Sequence, residues 1–279
     1  MKTPKFLYFL FYGFMSLVIL DCSPTKNYLD PRRPRFAGNY SEATAPAGDT
    51  IKVVSFNIKY ALEIEQAIRE LDSIPQIKDA DILLLQEMNE DATDFIARHL
   101  NYNYVYYPAT VHPQINYNFG NAVLSKWPIK ADRKIILPYE PVIGKTKRIA
   151  VCARVSIGTT QVVAYSVHTA TMTLSTDKRL SQADSLLKSI ASHNEKVIVG
   201  GDFNTVFAET IRNLDELFEK NSFNRATIDV GPTLEKGPFD FTMDHIYVKG
   251  FKVINYGSVP TQASDHKPIW TILTLDKNK

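Results

Sequence analysis

The chemistry-bearing side chains of this sequence gather at the ends of apolar runs. "VVSFN" ends on Asn57, "ILLLQE" on Glu87, "VVAYSVH" on His168, and "VIVGGDFN" on Asp202 and Asn204. "TMD" sets Asp244 directly before the run "HIYV", and "SDH" sets Asp265 and His266 before "KPIWTILTL". Taken singly, each reads as turn or cap chemistry, Asp or Asn beside glycine is ordinary turn composition, and Gly200 and Gly201 look like turn residues. Taken together, six strand ends carry only Asn, Asp, Glu and His. In antiparallel neighbours one strand's C-terminus lies beside the next one's N-terminus, so these ends can meet on one rim.

A rim of this kind is rich in oxygen, with two imidazoles. Hard divalent cations such as Mg²⁺ take oxygen ligands, using one or two carboxylates plus substrate phosphate. Zinc would call for several His or Cys ligands, and neither HExxH nor CxxC occurs. A Ser-His-Asp relay from Ser264, Asp265 and His266 is disfavoured, because adjacent strand residues face opposite ways and no G-x-S-x-G is present. Carboxylates, amides and His around Mg²⁺ suit attack of water on a phosphate ester.

The elements that must position these residues alternate between strand and helix. "TIKVVSFNI" and "ADILLLQE" read as buried strands, and "ALEIEQAIRELDSI" between them as a helix. "DATDFIARHL" reads as a second helix with Asp91 as N-cap. From 104 to 170 the pattern is strand-rich, and "STDKRLSQADSLLKSIASH" then gives a clear amphipathic helix. "KVIVGGD", a helix over "AETIRNLDELFEKN" and three further strands complete the chain. Strands apolar on both faces imply sheets covered by each other on one side and by helices on the other. The expected class is α/β, a four-layered α/β/β/α sandwich of two mixed sheets.

The N-terminus has a different texture. Lys2 and Lys5 precede the uncharged apolar stretch Phe6 to Leu20, which describes an export signal over residues 1–22. Cys22 resembles the acylated cysteine of bacterial lipoproteins, although Asp21 stands where a small residue is usual. Acylation at Cys22, plain secretion and an uncleaved anchor all place the folded part outside the cytoplasm, the first and last tying it to a membrane. Residues 23–49, with Pro24, Pro31, Pro34 and Pro46, read as a flexible tether, leaving 50–279 as the catalytic domain. The remaining cysteine, Cys152, reads as a small buried apolar residue. With 32 basic and 30 acidic residues among 279, the net charge of +2 supplies no global field for a polyanion.

The motifs "SFNI", "LLLQE", "GNAVLSKWPI", "SVHT", "GGDFNT", "MDHIYV" and "SDHKPIW" resemble, in order and spacing, those of the endonuclease/exonuclease/phosphatase superfamily. The resemblance covers residues 51 to 275 and implies the four-layered fold and a Mg²⁺-dependent phosphoesterase, with Mn²⁺ as a substitute ion. It implies Asn57, Glu87 and Asp265 as metal ligands, and Asp202 as the carboxylate that activates water. Asn204 would then face the phosphate, and His266, held by Asp244, would contact it. His168 becomes a phosphate ligand or the proton donor to the leaving oxygen. The substrate partner is a phosphate ester, whether nucleic acid, phospholipid head group or soluble phosphate, acted on by a monomer.

Other residues carry weaker signals. Arg179 and Gln182 could reach the site or lie on a solvated helix face. Arg148, with Lys145 and Lys147, could bind a phosphate but reads first as a surface charge cluster. Asn121 either bonds near the phosphate or shapes a turn, and His245 should point away from Asp244. Tyr-rich "NYNYVYYP" reads as strand core or rim. A noncatalytic binding module on the same scaffold is the competing reading, because a fold does not fix a function.

Overall fold

A computed structural model describes residues 26–43, 48–142, 144–190, 196–236 and 239–275. The apolar stretch read as an export signal and Cys22 lie outside the described residues. The first half contains β1 (Phe36–Gly38), β2 (Thr50–Asn57), α1 (Ile64–Ser73), β3 (Ile82–Met88), α2 (Glu90–His99), β4 (Asn103–Val111) and β5 (Asn118–Ser125). The second contains β6 (Ile129–Ile136), β7 (Ile149–Ile157), β8 (Thr160–His168), α3 (Thr176–Ser189), β9 (Lys196–Asp202) and α4 (Ala208–Glu219). The chain ends with β10 (Asn224–Arg225), β11 (Leu234–Lys236), β12 (Phe239–Phe241), β13 (Asp244–Lys249), β14 (Phe251–Ser258) and β15 (Ile269–Leu275).

Two sheets form, in the orders β1-β4-β5-β3-β2-β15-β14 and β10-β13-β9-β8-β7-β6, and β11-β12 makes a separate hairpin. Each sheet contains one parallel pair, β2 with β3 and β8 with β9. Because side chains alternate between the two faces of a strand and both faces are buried here, a run such as "ILLL" (82–85) is apolar throughout. Val53, Ile82 and Leu84 face Val151, Ala164, Ile198 and Ile246 between the sheets. Their neighbours Val54, Leu83 and Leu85 pack outward with Ala67 and Leu71 of α1 and Ile96 of α2. Val163, Val197 and Val199 likewise pack with Leu186 of α3 and Leu214 of α4. The result is the α/β/β/α sandwich expected from the sequence.

Three local expectations are corrected. Residues 26–43 are not a tether: β1 pairs antiparallel with β4, and Val111 N donates to Lys26 O at 2.8 Å. Arg35 makes a bidentate pair with Asp132 at 2.6 and 2.7 Å, and the buried Lys134 ammonium donates to Tyr28 O and Arg33 O. Proline and polar composition concealed these few specific bonds, which strap the edge where β4 and β6 lie. The N-cap of α2 is Asn89, whose side chain accepts from Ala92 N at 2.8 Å, so Asp91 falls inside the first turn. Gly200 and Gly201 lie within β9 rather than in a turn. A Cβ on Gly200 would stand 2.7 Å from Leu84 Cδ1 of the facing sheet, and one on Gly201 (φ 155°) would stand 1.9 Å from Val167 O. These glycines allow close packing of sheets and strands. Cys152 is buried, as expected.

Candidate active site

Strand register assembles the site. His168, the last residue of β8, lies opposite Asp202, the last residue of β9, and Asp244, the first of β13, lies opposite Asp202 from the other side. Asn57 ends β2 beside Gln86 of β3 in the facing sheet. Beyond Gln86 the pairing of β3 with β5 shifts register between Leu85 and Met88, and Glu87 adopts φ 61°. Such a bulge re-aims a side chain, and positive φ in a non-glycine residue is strained backbone that packing must hold. Glu87 is thereby turned toward the rim, with its carboxylate accepting from Asn57 Nδ2 at 3.2 Å and Tyr60 N at 3.1 Å.

Asn57 ties the two sheets together chemically, since Nδ2 also lies 3.1 Å from Asp202 Oδ2. The other Asp202 oxygen accepts from Asn204 N at 2.8 Å, and Asn204 Nδ2 donates to Thr169 O. His266 Nδ1 lies 2.9 Å from Asp244 Oδ2, and its Nε2 points toward Asp202 Oδ2 at 3.9 Å. His168 Nε2 stands 3.5 Å from that same Asp202 oxygen and 4.0 Å from Glu87 Oε1. The structure therefore brings Asn57, Glu87, His168, Asp202, Asn204, Asp244 and His266 into one contact network. Asp265 is the exception: it is exposed and pairs with Lys59 Nζ at 3.4 Å, on a turn whose Ser264 Oγ donates to Asn57 O.

Burial sets the electrostatics. It pushes the Asp202 carboxyl up to about 7, opposed by His266 and reinforced by Asp244. Burial also raises Glu87, against the pull of Arg148 and the hydrogen bond from Asn57. For His266 burial works downward, but Asp244 and Asp202 outweigh it and hold the imidazolium up to about 10. His168 goes the other way, well below its ordinary value, through burial and then the nearby Arg148 and His266. His168 is thus neutral. Arg148 Nη1 lies 3.4 Å from its Nδ1, and a guanidinium only donates, so the ring proton sits on Nε2 facing Asp202 and Glu87.

Arg148, which the sequence presents first as part of a surface cluster, lies instead beside His168 in the site. It is buried, its Nε has no partner, and its guanidinium stacks 5.1 Å above the Phe119 ring. It directly precedes β7, so the strand-end rule that found the other residues would have found it too. Phe119 packs with Tyr60 at 5.7 Å, His112 at 5.0 Å and His168 at 5.7 Å, giving the site an aromatic wall. The remaining candidates are structural. Arg179 Nη1 donates to Leu174 O, and Gln182 bridges Ala170 N and Pro138 O, which fixes the chain after His168. Asn121 spends its amide on Ile149 O and Ser166 O. His245 is buried with Nε2 2.7 Å from Thr205 Oγ1, as its strand position implied.

Two donor sets could hold a cation. One oxygen or nitrogen from each of Asp202, Asp244 and His266 lies within 4.8 Å of the others. That group is already a hydrogen-bonded pair facing a carboxylate, and a ligating imidazole would have to be neutral. Glu87 and Asn57 form the second set, whose carboxylate and amide oxygens are the hard donors a divalent cation of the Mg²⁺ type takes; Asn57 Oδ1 accepts from Lys59 N at 3.1 Å, and Nδ2 is the Asn57 atom that faces Glu87.

Comparison with known proteins agrees with this fold. The model of the Endonuclease/Exonuclease/phosphatase family matches residues 54–266. A family protein from Leptotrichia buccalis superposes with TM-score 0.66 at 17% identity, over 81% of this chain and 100% of that one. The mannosyl-6-phosphatase of Bacteroides thetaiotaomicron superposes with TM-score 0.64 at 17% identity, over 81% and 100%. Among curated sequences, a UPF0294 protein of Vibrio vulnificus is 27% identical over 120 residues, 42% of this chain and 41% of the relative. One of Yersinia pestis is 29% identical over 104 residues, 37% and 39%. The chain thus matches about two fifths of the length of these relatives.

Proposed function

Because this chain belongs to the endonuclease/exonuclease/phosphatase family, we propose that it hydrolyses a phosphate ester by metal-assisted attack of water. The observation that carries the reading is the chain of contacts Asp244–His266–Asp202–Asn57–Glu87, which places a base, a cationic imidazole and a hard oxygen site side by side. Glu87 and Asn57 would hold the cation, and Asp265 would join them by exchanging its Lys59 partner. When bound, Mg²⁺ supplies Lewis-acid polarisation of a phosphoryl oxygen and offsets its negative charge.

The chain's own residues account for the rest. Asp202, oriented by Asn57 Nδ2 and Asn204 N, accepts the proton of the attacking water, and its raised basicity suits that role. His266, kept charged by Asp244, donates from Nε2 to the phosphate as charge accumulates on its oxygens. Neutral His168 donates a hydrogen bond from Nε2 rather than acting as a cationic acid, which favours the phosphate-ligand role over proton donation. Arg148 offers a buried positive charge with no described carboxylate within ion-pair distance, suited to the same phosphate.

Every matched position keeps a competent side chain, which favours an enzyme over a noncatalytic binding module. The export signal in residues 1–22 supports work outside the cytoplasm. A panel of plasmid DNA, RNA, a phospholipid, sugar phosphates and inositol phosphates, with Mg²⁺, Mn²⁺ or EDTA, tests the reading. Hydrolysis of at least one class with metal and its loss in EDTA are expected. Failure on every class, with or without metal, would refute the proposal.

A further inference from the structure

The described connections at the two ends of the sandwich differ in what they expose. At the catalytic end, β4 turns into β5 beside Glu87, as the Met88–Gly120 pairing fixes, and this turn carries Tyr117, 68% exposed. The connection from β6 to β7, which ends at Arg148, carries Tyr139 and Val142, the latter 88% exposed. Met172 follows His168, Phe207 follows Asp202, and Phe239 lies on the β11-β12 hairpin, whose Leu234 bridges to His266; all three are exposed. Among the described residues, the connections at the opposite end expose no large apolar side chain. Scattered apolar surface residues such as Phe95 of α2 and Ile254 of β14 are ordinary, but a ring of them on the connections of one end and not the other marks an interaction surface.

A second observation identifies what that surface meets. Lys26 O accepts from Val111 N, at the rim end of β4, and Asn27 bonds both Lys145 O and Lys147 N in the connection that carries Val142. The chain therefore enters the fold at the catalytic rim. Only residues 21–25 separate this point from the apolar run Phe6 to Leu20, a reach of at most about 18 Å. Lysines interleave with the exposed rings, as where Lys178 Nζ lies 5.6 Å from the Tyr139 centroid, the mixture found at lipid–water interfaces.

We propose that the catalytic rim rests on a lipid bilayer surface, so that the phosphate ester it takes is borne by a membrane amphiphile. Only the identity of the substrate rests on the phosphoesterase reading; the docking of the rim does not. The apolar residues would enter the head-group layer around the site while the adjoining segment holds the same face toward the membrane. A nucleic acid is held by phosphate contacts and by rings that stack its bases, and the exposed Val142 and Met172 at this rim supply neither.

The test uses the full chain in vesicles of phosphatidylcholine and phosphatidylglycerol with brominated acyl chains. Tryptophan is introduced at the rim as Val142→Trp or, on the edge strand β14, as Ile254→Trp; Ile254 is also exposed. Trp127 and Trp270 are buried and give a constant background. The proposal expects bromine quenching and a blue shift for V142W and neither for I254W. Equal responses, or none at V142W, would overturn it. A second variant joins Tyr117→Ser, Tyr139→Ser, Val142→Ser and Met172→Ser. It should lose about tenfold or more in turnover of a vesicle-borne phosphate ester, with hydrolysis of a soluble phosphodiester unchanged. Parallel losses on both substrates would also overturn the proposal, whereas absence of all hydrolysis alongside V142W quenching would refute the phosphoesterase reading alone.

Discussion

At the residue scale, the site depends on side chains held where water would otherwise be preferred. Arg148 is the sharpest case, a buried guanidinium with no described carboxylate within ion-pair distance, stacked on Phe119 beside a neutral imidazole. Removing an unpaired buried charge relieves a desolvation cost rather than breaking a bond. Arg148→Met should therefore lower kcat/KM by roughly 100-fold while leaving the melting temperature unchanged or raised. A calorimetric fall in Tm of more than a few degrees would make Arg148 a structural residue instead. Glu87 shows the opposite arrangement, in which strained backbone at φ 61° is retained because the bulge aims its carboxylate at the rim.

At the element scale, β9 carries the tightest constraint. The 1.9 Å approach of a Gly201 Cβ to Val167 O would push β8 from β9 and separate His168 from Asp202. Gly201→Ala should cost at least about 3 kcal/mol in denaturant unfolding, and a cost under about 1 kcal/mol would contradict this account of the glycine pair. The strap over residues 26–43 makes a pH-dependent contribution. Burial raises the Asp132 carboxyl, but hydrogen bonds from Arg35 and Tyr107 outweigh it and bring it below the ordinary value. A depressed carboxyl stabilises the fold above its unfolded pKa and loses that contribution as pH falls through the folded one. Thermal melts should show wild type above Arg35→Ala at pH 7, with the gap closing as pH falls below the ordinary carboxylate range. Constant separation would place the stabilisation elsewhere. The strands and helices were legible because their apolar periods are strong, and the strand ends named most of the site. The strap was not, because it depends on contacts with β4 and β6 that no local pattern encodes, and Arg148 stands at a strand end but reads as a surface cluster because Lys145 and Lys147 precede it.

At the scale of the whole molecule, each sheet contributes half of the site. The first supplies Asn57 and Glu87, the second His168, Asp202 and Asp244, and the turn before β15 returns His266 across the seam. Face-to-face packing of two mixed sheets thus creates the chemistry, and the same geometry gathers the exposed apolar loops around it. The central claim is that this seam is a hydrolytic centre with Asp202 as the base. The most direct measurement is the turnover of a generic phosphodiester with Mg²⁺ by wild type and by Asp202→Asn, which keeps the shape and removes the charge. The account predicts a loss of roughly 10²–10⁴-fold with an unchanged melting temperature. Equal rates for the two proteins would contradict it.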